Sequence, residues 1–412
     1  MPKKMTVTIT PTVQSALYVT SATSHTFGTP YSASAEGGTG TGRLVFSMLP
    51  GGTGAAQINA GTGRVTVTRA GTLILQVTRE ADSNYQQIST EPFTLTVKKA
   101  EQAALSISSG SRVTYGNSYT ARASGGSGTG SVTFQIAAGG TGIASIDSRS
   151  GELTVSKAGT ILIAATKAED DNYLEQSSEF FTVTVDKAEQ SDLEVTSAKD
   201  IDFDEPYTVT AAGGSGTGAV TFAVVSGGTG IAGIDSATGV LTVTKAGTIK
   251  LKALKAEDEN YLETLSPVFT LTVHKADQAD LFFTSSNEMV FEEAYTATAT
   301  GGSGTGSLSY AVVSGGSGAA AINDDTGTLT VTRAGTILIK VTRAGDGNWL
   351  QKVSEPFEIT VHKAQQSPIT FTSGSTAVYG ATYNAIAAGG SGTGDIVYAV
   401  EAGGTGDATI NA

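Results

Sequence analysis

The most chemically suggestive pattern is a loop of the form Asp-x-Asn-aromatic, with copies at Asp82-Ser83-Asn84-Tyr85, Asp170-Asp171-Asn172-Tyr173, Asp258-Glu259-Asn260-Tyr261 and Asp346-Gly347-Asn348-Trp349. Carboxylate and amide oxygens placed together could contribute to a calcium site, which needs six to eight oxygens. Glu169 and Glu257 add charge in the second and third copies. Gly345 and Gly347 leave the fourth copy with too few oxygens. The pattern favours an Asx-type turn whose aromatic residue packs against the end of a sandwich, with calcium binding as the alternative.

A glycine-rich run, Gly-Gly-Ser-Gly-Thr-Gly with Thr for Ser in the first copy, is the second candidate. It occurs always 88 residues apart, at 37–42, 125–130, 213–218, 301–306 and 389–394. Such a run could cradle phosphate through its backbone N–H groups, but that use needs a helix to follow, and a strand pattern follows here. We therefore interpret the run as a loop in which glycine permits close backbone approach.

No set of residues points to catalysis or to a metal. His274 and His362 occupy equivalent positions, whereas His25 does not, and none has neighbours at metal-ligand spacing. No nucleophile, base and acid stand out together. Alternating threonines at 6–10 could suggest an ice-binding face, but twisted strands supply no flat array. We therefore assign no catalytic, cofactor-binding or metal-binding residue, expect no cofactor, and predict that the protein is not an enzyme.

The composition narrows the class of protein further. The 412 residues carry a net charge of −13 and include no cysteine, so disulfides are excluded. Negative charge spread along the chain disfavours binding to nucleic acid or anionic membranes. No apolar run reaches transmembrane length, and none follows Met1-Pro-Lys-Lys. We therefore expect no direct membrane insertion by this segment and no export signal within it.

The repeat organises the elements that must hold these loops. Complete copies are predicted at 14–101, 102–189, 190–277 and 278–365, with an incomplete copy at 366–412 and the last strand of a preceding copy at 1–13. Apolar residues recur with period two, as where Ile249 and Leu251 alternate with lysines, which predicts one buried and one solvated face. A hairpin is predicted at 234–241, where Asp and Gly suit a tight turn. About seven short strands per copy indicate an all-β fold of tandem immunoglobulin-like β-sandwiches.

The junctions between copies are short. The first is Lys98-Lys99-Ala100-Glu101-Gln102, and its equivalents lie at 186–190, 274–278 and 362–366. They lack the glycine, proline and serine runs of flexible linkers. We therefore predict that the repeats stack end to end into an elongated rod, each adding roughly 35–40 Å at about 3.3 Å per strand residue.

Three stretches together resemble the bacterial Ig-like tandem repeats of long surface proteins and adhesins, and the likeness covers the whole chain. They are the residues 213–222, the stretch Lys245-Ala246-Gly247-Thr248, and the run from Lys255 through Tyr261 to Lys275-Ala276. The hairpin Ile-Asp-Ser-x-Thr-Gly also looks like a cadherin feature, but the Asp-rich calcium linker of cadherins has no counterpart. The resemblance implies an exported protein of the bacterial cell surface with a spacer-like or adhesive role, and it transfers no catalytic residue.

These observations predict a non-enzymatic stalk or filament segment of a bacterial extracellular surface protein, which spaces a functional tip from the cell. The alternative is an adhesive module that recognises a glycan or protein of a host or neighbouring cell. A binding copy should carry an exposed aromatic that its siblings lack, and Trp349 is the one departure seen. Expected partners are neighbouring repeats of the same or an identical chain; the sequence identifies no adhesion ligand.

Both ends of the chain fall inside copies of the repeat. Met5, Val7 and Ile9 match the last strand of the first copy. The final copy lacks its second half, so the apolar residues within 396–400 are expected to face water beside an unpaired sheet edge. We favour a window cut from a longer repeat protein. The alternative is head-to-tail self-assembly, in which the N-terminal strand of an identical chain partly completes the last copy.

Overall fold

The computed structural model describes residues 1–411, which form strands joined by turns and loops. None of these residues forms a helix that is long and apolar enough to cross a membrane. They make two compact units, one of residues 1–194, 212–221 and 253–266, the other of residues 195–211, 222–252 and those from 267 onward. The third repeat contributes residues to both units, whereas the first, second and fourth each lie within one.

The first unit contains all strands of the first two repeats. Those of the first repeat are β1 (Leu17–Val19), β2 (Ser24–Thr26), β3 (Tyr31–Ser32), β4 (Ala35–Gly37), β5 (Leu44–Leu49), β6 (Ala55–Ile58), β7 (Arg64–Arg69), β8 (Gly71–Arg79), β9 (Ile88–Ser89) and β10 (Phe93–Lys98). Those of the second are β11 (Leu105–Ile107), β12 (Arg112–Thr114), β13 (Tyr119–Thr120), β14 (Ala123–Gly125), β15 (Val132–Ala137), β16 (Ile143–Ile146), β17 (Glu152–Lys157), β18 (Gly159–Lys167), β19 (Gln176–Ser177) and β20 (Phe181–Asp186).

The later repeats have strands at equivalent positions. The third repeat contains β21 (Leu193–Val195), β22 (Asp200–Asp202), β23 (Tyr207–Thr208), β24 (Ala211–Gly213), β25 (Val220–Val225), β26 (Ile231–Ile234), β27 (Val240–Lys245), β28 (Gly247–Lys255), β29 (Thr264–Leu265) and β30 (Phe269–His274). The fourth contains β31 (Leu281–Phe283), β32 (Glu288–Val290), β33 (Tyr295–Thr296), β34 (Ala299–Gly301), β35 (Leu308–Val313), β36 (Ala319–Ile322), β37 (Thr328–Arg333), β38 (Gly335–Arg343), β39 (Lys352–Val353) and β40 (Phe357–His362). The final segment contains β41 (Ile369–Phe371) and β42 (Ala387–Gly389).

Strand pairing in the first repeat gives a two-sided sandwich. On one side β5, β8 and β10 pair in antiparallel fashion, with β9 on β8 and β2 parallel to β10. On the other side β3, β7 and β6 pair in that order, and β1 pairs with β4. This grouping of the seven main strands is that of an immunoglobulin-like fold. The second and fourth repeats have the same pairings, so the predicted tandem immunoglobulin-like sandwiches are confirmed.

Each repeat has ten strands where the sequence predicts about seven. The first strand is divided between the two sides as β1 and β2, and the second is interrupted between β3 and β4. The two-residue strand β9 is the third addition. The interruption between β3 and β4 preserves the alternation of Tyr31, Ala33 and Ala35, so the sequence pattern alone does not show that break.

The core of each repeat lies between its two sides. In β8 the side chains of Leu73, Leu75 and Val77 are at most 2% exposed, and the residues between them are half-buried. In β28 Ile249 and Leu251 are buried while the adjacent lysines are not, as the alternation predicts. Burying an aliphatic side chain stabilises a fold by about 1.5–3 kcal/mol, so this inward row fixes the register of the longest strand.

The predicted hairpin between β26 and β27 is present. Oδ1 of Asp235 accepts N–H hydrogen bonds from Ala237 and Thr238, at 3.0 and 2.7 Å. Gly239 has a φ of 75°, and a Cβ there would lie 2.3 Å from the carbonyl oxygen of Val209. The turn therefore needs glycine for both its backbone conformation and its packing.

The two ends differ from the complete repeats. Residues 1–11 form no strand, and Met5, Val7 and Ile9 are exposed, because the described chain offers them no partner like the one β8 gives β10. The expectation that residues 396–400 all face water is only partly met. Val400 is exposed, but Ile396 and Tyr398 are half-buried, and the Tyr398 hydroxyl accepts the N–H of Ala387 at 3.1 Å. Ala412 lies outside the described residues.

Candidate functional site

The glycine run is packed against the first residue of its own repeat. In the second repeat Gln102 is buried, and its Nε2 donates to the carbonyl oxygens of Leu174 and Ala168, at 2.8 and 3.2 Å. Its Oε1 accepts the N–H of Gly128 at 3.3 Å. A Cβ on Gly128 would lie 2.5 Å from Oδ2 of Asp170. The run is therefore glycine because side chains lie directly on its backbone, which is the close approach predicted above.

The Asp of each Asp-x-Asn-aromatic loop is bonded to backbone amides. Oδ1 of Asp170 accepts from the N–H groups of Asn172 and Tyr173, at 2.8 and 2.9 Å. Its Oδ2 accepts from the N–H and the hydroxyl of Thr129, at 2.5 and 3.1 Å. These bonds, led by those from Asn172 and Thr129, lower the pKa of Asp170 to about 2. The equivalent pKa values, also about 2, belong to Asp82, Asp258 and Asp346. The predicted Asx turn is confirmed: Oδ1 closes the turn, and Oδ2 bonds the turn to the glycine run.

The structure shows what surrounds the candidate metal ligands, including the three histidines. Among residues 1–411 no three His, Asp or Glu side chains are grouped so that they could hold a metal ion. His274 lies 3.4 Å from a carboxylate oxygen of Asp200, and His362 lies 3.9 Å from one of Glu288. Both are exposed pairs between adjacent strands of one repeat. Nε2 of His25 lies 2.8 Å from the carbonyl oxygen of Thr29.

The Asn of the loop bonds to the preceding repeat. Oδ1 of Asn172 accepts the N–H of Ala70 at 2.9 Å, and Nδ2 donates to the carbonyl oxygen of Thr68 at 3.0 Å. One side-chain amide thus satisfies a donor and an acceptor at the turn between β7 and β8. The same pair of bonds joins Asn260 to Ala158 and Ser156, and Asn348 to Ala246 and Thr244, all between 2.8 and 3.0 Å.

The aromatic residue of the loop also crosses the junction. Tyr173 meets Phe27 of the preceding repeat edge to face, with ring centroids 5.5 Å apart at 80°. Equivalent contacts join Tyr261 to Tyr115 and Trp349 to Phe203. The junction strand adds main-chain bonds, because Ala100 donates to Asn172 and accepts from Leu174, both at 2.9 Å. Each junction therefore combines an amide clamp, a ring contact and a backbone bridge.

Charged contacts differ from junction to junction. Lys99 pairs with Glu169 at 2.9 Å in the first, and Lys187 and Lys157 pair with Glu257 and Glu259 at 2.8 and 2.7 Å in the second. In the third, Nζ of Lys275 donates instead to the carbonyl oxygen of Asp346. The glutamates are mostly exposed, so such pairs contribute about 0–1 kcal/mol each.

Sequence reasoning found the loop but not its partner. It predicted that the loop aromatic packs on a sandwich end, and the structure shows that this end belongs to the preceding repeat. The available signal was that the position of Phe27, Tyr115 and Phe203 is aromatic in every copy although it lies at the edge of the core. Two positions that are aromatic in every complete copy and only partly buried are candidates for contacting each other.

The fourth repeat has a groove that sequence reasoning missed. It has a volume of about 330 Å³ and runs between Asp280–Phe283 and Lys352–Phe357. Phe282 at its rim is 62% exposed. The equivalent residues are Tyr18, Ser106, Glu194 and Thr370. Tyr18 of the first repeat is also aromatic and exposed, so Phe282 faces solvent, unlike Trp349, but does not distinguish the fourth repeat from the first.

Comparison with known proteins gives distant structural likenesses. No family model matches the sequence, and no curated protein matches it. A structure of Drosophila N-cadherin EC1-4 is 12% identical, covering 87% of this chain and 100% of its own, with a TM-score of 0.24. The human desmocollin-1 ectodomain is 11% identical, covering 85% and 79%, with a TM-score of 0.23. An ICAM-5 D1-D4 fragment is 11% identical, covering 84% and 100%, with a TM-score of 0.32. At these values none of them assigns a function to this chain.

Proposed function

We propose that this chain is a non-enzymatic spacer, a stalk segment of an extracellular bacterial surface protein that holds a functional tip away from the cell. The observation that carries the proposal is the junction, which recurs three times with the same three elements. A flexible linker would make no such contacts, whereas a spacer must transmit orientation from one repeat to the next.

The junction is built so that bending breaks bonds. The clamp of Asn172 on Ala70 and Thr68 needs both partners within hydrogen-bond distance, as does the backbone bridge at Ala100. Moving the loop off its neighbour would leave a donor and an acceptor without protein partners. The net contribution of one hydrogen bond to stability is about 0.5–1.5 kcal/mol. Bending a junction would break several such bonds at once and lose their combined contribution.

Small-angle scattering on the full chain tests the proposal. We expect a particle with a maximum dimension of at least roughly 140–160 Å, since four stacked repeats add roughly 35–40 Å each. The triple variant Asn172→Ala, Asn260→Ala, Asn348→Ala should keep its strand content by circular dichroism and broaden the distance distribution. A compact particle for the native chain would overturn the spacer proposal.

The extracellular bacterial location is part of the same proposal. It is supported by the resemblance of residues 213–222 and 245–248 to bacterial surface repeats and by the absence of cysteine, which long bacterial surface repeats often lack. Surface biotinylation and protease shaving of intact source cells should label and release the protein. Recovery only from the cytoplasmic fraction would contradict this location while leaving the spacer geometry intact.

A further inference from the structure

The glycine run of each repeat lies between two segments that meet at the junction. In the second repeat, Oγ of Ser127 within the run accepts the N–H of Ala103, directly after the junction residues, at 3.0 Å. Thr129 of the same run donates through its N–H and its hydroxyl to Oδ2 of Asp170, at 2.5 and 3.1 Å. Asp170 opens the clamp loop, residues 170–174, which carries the asparagine and the aromatic residue of the junction. The run therefore joins the chain that enters the repeat to the loop that contacts the preceding repeat.

Gln102 holds the other end of the clamp loop. Its buried Nε2 donates to the carbonyl oxygen of Leu174 at 2.8 Å, while the N–H of Leu174 donates to Ala100 at 2.9 Å. Both main-chain groups of Leu174 are therefore bonded to junction residues. Oε1 of Gln102 accepts the N–H of Gly128 at 3.3 Å, which ties this end of the loop to the glycine run as well. The clamp loop is thus held at both ends, and the residues that contact the preceding repeat lie between the held ends.

The first repeat shows that this arrangement does not depend on docking. Nε2 of Gln14 donates to the carbonyl oxygen of Gln86 at 2.7 Å, and Thr41 donates to Asp82 at 2.6 and 3.1 Å. The side chain of Asn84 nevertheless has no hydrogen-bond partner within residues 1–411. The loop is therefore held by its own repeat alone. The third and fourth repeats have the same bonds at 2.6–3.1 Å, made by Gln190, Thr217, Gln278 and Thr305.

The residue types suit this role. A buried glutamine amide donates and accepts at the same time, whereas a carboxylate in its place would face the carbonyl oxygens of Leu174 and Ala168. Gly128 leaves room for Asp170, because a Cβ there would lie 2.5 Å from Oδ2 of that residue. A loop that is already ordered loses less conformational freedom when it docks, so the asparagine clamp gains affinity from this order.

We propose that Gln102 and the glycine run, together with their equivalents, are the positioning residues of the junctions. By ordering the clamp loop they set the orientation in which Asn172 meets the turn between β7 and β8 of the preceding repeat. The side-chain hydrogen bonds of Gln102 stay within its own repeat, so it acts through the clamp rather than across the junction. This role rests on the proposed spacer function, because it names what fixes the orientation that a spacer transmits.

Spin labels on either side of one junction test this role in the full chain. Labels at Thr66→Cys and Thr154→Cys span the junction that Asn172 makes. Gln102→Met removes the donor and the acceptor of the side chain, so double electron–electron resonance should show a broader distance distribution. Gln14→Met removes the equivalent bonds from the loop of the first repeat, which clamps no other repeat within residues 1–411, and it should leave the distribution unchanged.

A second variant acts on the glycine run. Gly128→Ala places its Cβ against Oδ2 of Asp170 and should displace that carboxylate from Thr129, which again broadens the distribution or shifts its mean. Gly40→Ala is the matched control, since its Cβ would lie 2.7 Å from Oδ2 of Asp82 in the first repeat. It should leave the distance between the labels unchanged. Circular dichroism should show native strand content in all of these variants.

Hydrogen exchange separates positioning from general stability. The N–H of Ala70 donates to Asn172 across the junction, and the N–H of Ala158 donates to Asn260 at the next junction. Ala158 lies in the same repeat as Gln102 and therefore reports on the stability of that repeat. Gln102→Met should lower the protection of the Ala70 amide about 3- to 10-fold, the size of one lost hydrogen bond. The protection of the Ala158 amide should not change.

An unchanged distance distribution for Gln102→Met or for Gly128→Ala would overturn this role and leave the spacer function intact. Equal losses of protection at Ala70 and Ala158 would also overturn it, because they would show only that the second repeat is less stable. A broad distribution for the native chain would instead contradict the spacer function, and the positioning role with it.

Discussion

The junction that Asn260 makes and the junction that Asn348 makes have the same framework and different charges. Both have the amide clamp, the edge-to-face ring contact and the backbone bridge. The Asn260 junction also has two lysine–glutamate pairs. The Asn348 junction has glycine at 345 and 347, the positions equivalent to those glutamates. The framework survives without the ion pairs. We infer that uncharged contacts set the junction geometry and that surface charge only adjusts its strength.

A substitution in the core of one repeat should cost more stability than any substitution at a junction. Ile339→Ala removes a fully buried side chain from β38 and should destabilise the fourth repeat by about 2–5 kcal/mol through lost burial and a cavity. Lys340→Ala, one residue along on the solvated face, should change stability by less than about 0.5 kcal/mol. Guanidinium unfolding followed by the fluorescence of Trp349, the single tryptophan, reports on this repeat. Equal effects would mean that the face assignment of β38 is wrong.

Replacing the clamp asparagines tests most directly whether the two junctions share the same framework. Asn260→Ala and Asn348→Ala should each weaken the protection of the amide they cover, at Ala158 and Ala246, by about 1–3 kcal/mol in hydrogen exchange. The two losses should be similar, because the clamps are alike. Asn84→Ala is the matched control, since the Asn84 side chain has no hydrogen-bond partner within residues 1–411. It should change the protection of the Ala158 and Ala246 amides by less than about 0.5 kcal/mol. A large loss at one junction only would show that the charges determine the geometry after all.

The aromatic contacts across the two junctions should have the next largest effect on stability. Tyr115→Leu and Phe203→Leu remove the partners of Tyr261 and Trp349. An edge-to-face pair contributes about 0.5–1.5 kcal/mol beyond its buried area. Double-mutant cycles with Tyr261→Leu and Trp349→Leu should return coupling energies in that range at both junctions. Coupling near zero in either cycle would remove the ring contact from the shared framework.

Salt should have the smallest effect on amide protection, and it should affect only the junction that has the ion pairs. Raising NaCl from 10 mM to 1 M screens exposed ion pairs, so protection of the Ala158 amide should fall by up to about 1 kcal/mol. Protection of the Ala246 amide should not change, since its junction lacks such pairs. In the double variant Glu257→Gln, Glu259→Gln the salt response of Ala158 should disappear. A salt response of equal size at both amides would contradict the assignment.

What the sequence could predict follows from local chemistry. The period, the inward row of β28 and the Asx turn depend on residues close together in the chain, and each was predicted correctly. The interruption between β3 and β4 was not, because the alternation of Tyr31, Ala33 and Ala35 continues across the break. The pairing of Tyr173 with Phe27 and the groove beside Phe282 depend on which surfaces the fold brings together. Spacing alone does not show such contacts.

The most direct test of the account is a spin-label distance measurement across the junctions. The chain has no cysteine, so the full chain can be labelled at Thr66→Cys with Thr154→Cys, or at Thr242→Cys with Thr330→Cys, all exposed and equivalent strand positions. Double electron–electron resonance should give one narrow distance distribution for each pair, with the same mean. A broad distribution in both pairs, as for repeats joined by a flexible linker, would contradict the claim that the junctions hold adjacent repeats in a fixed orientation.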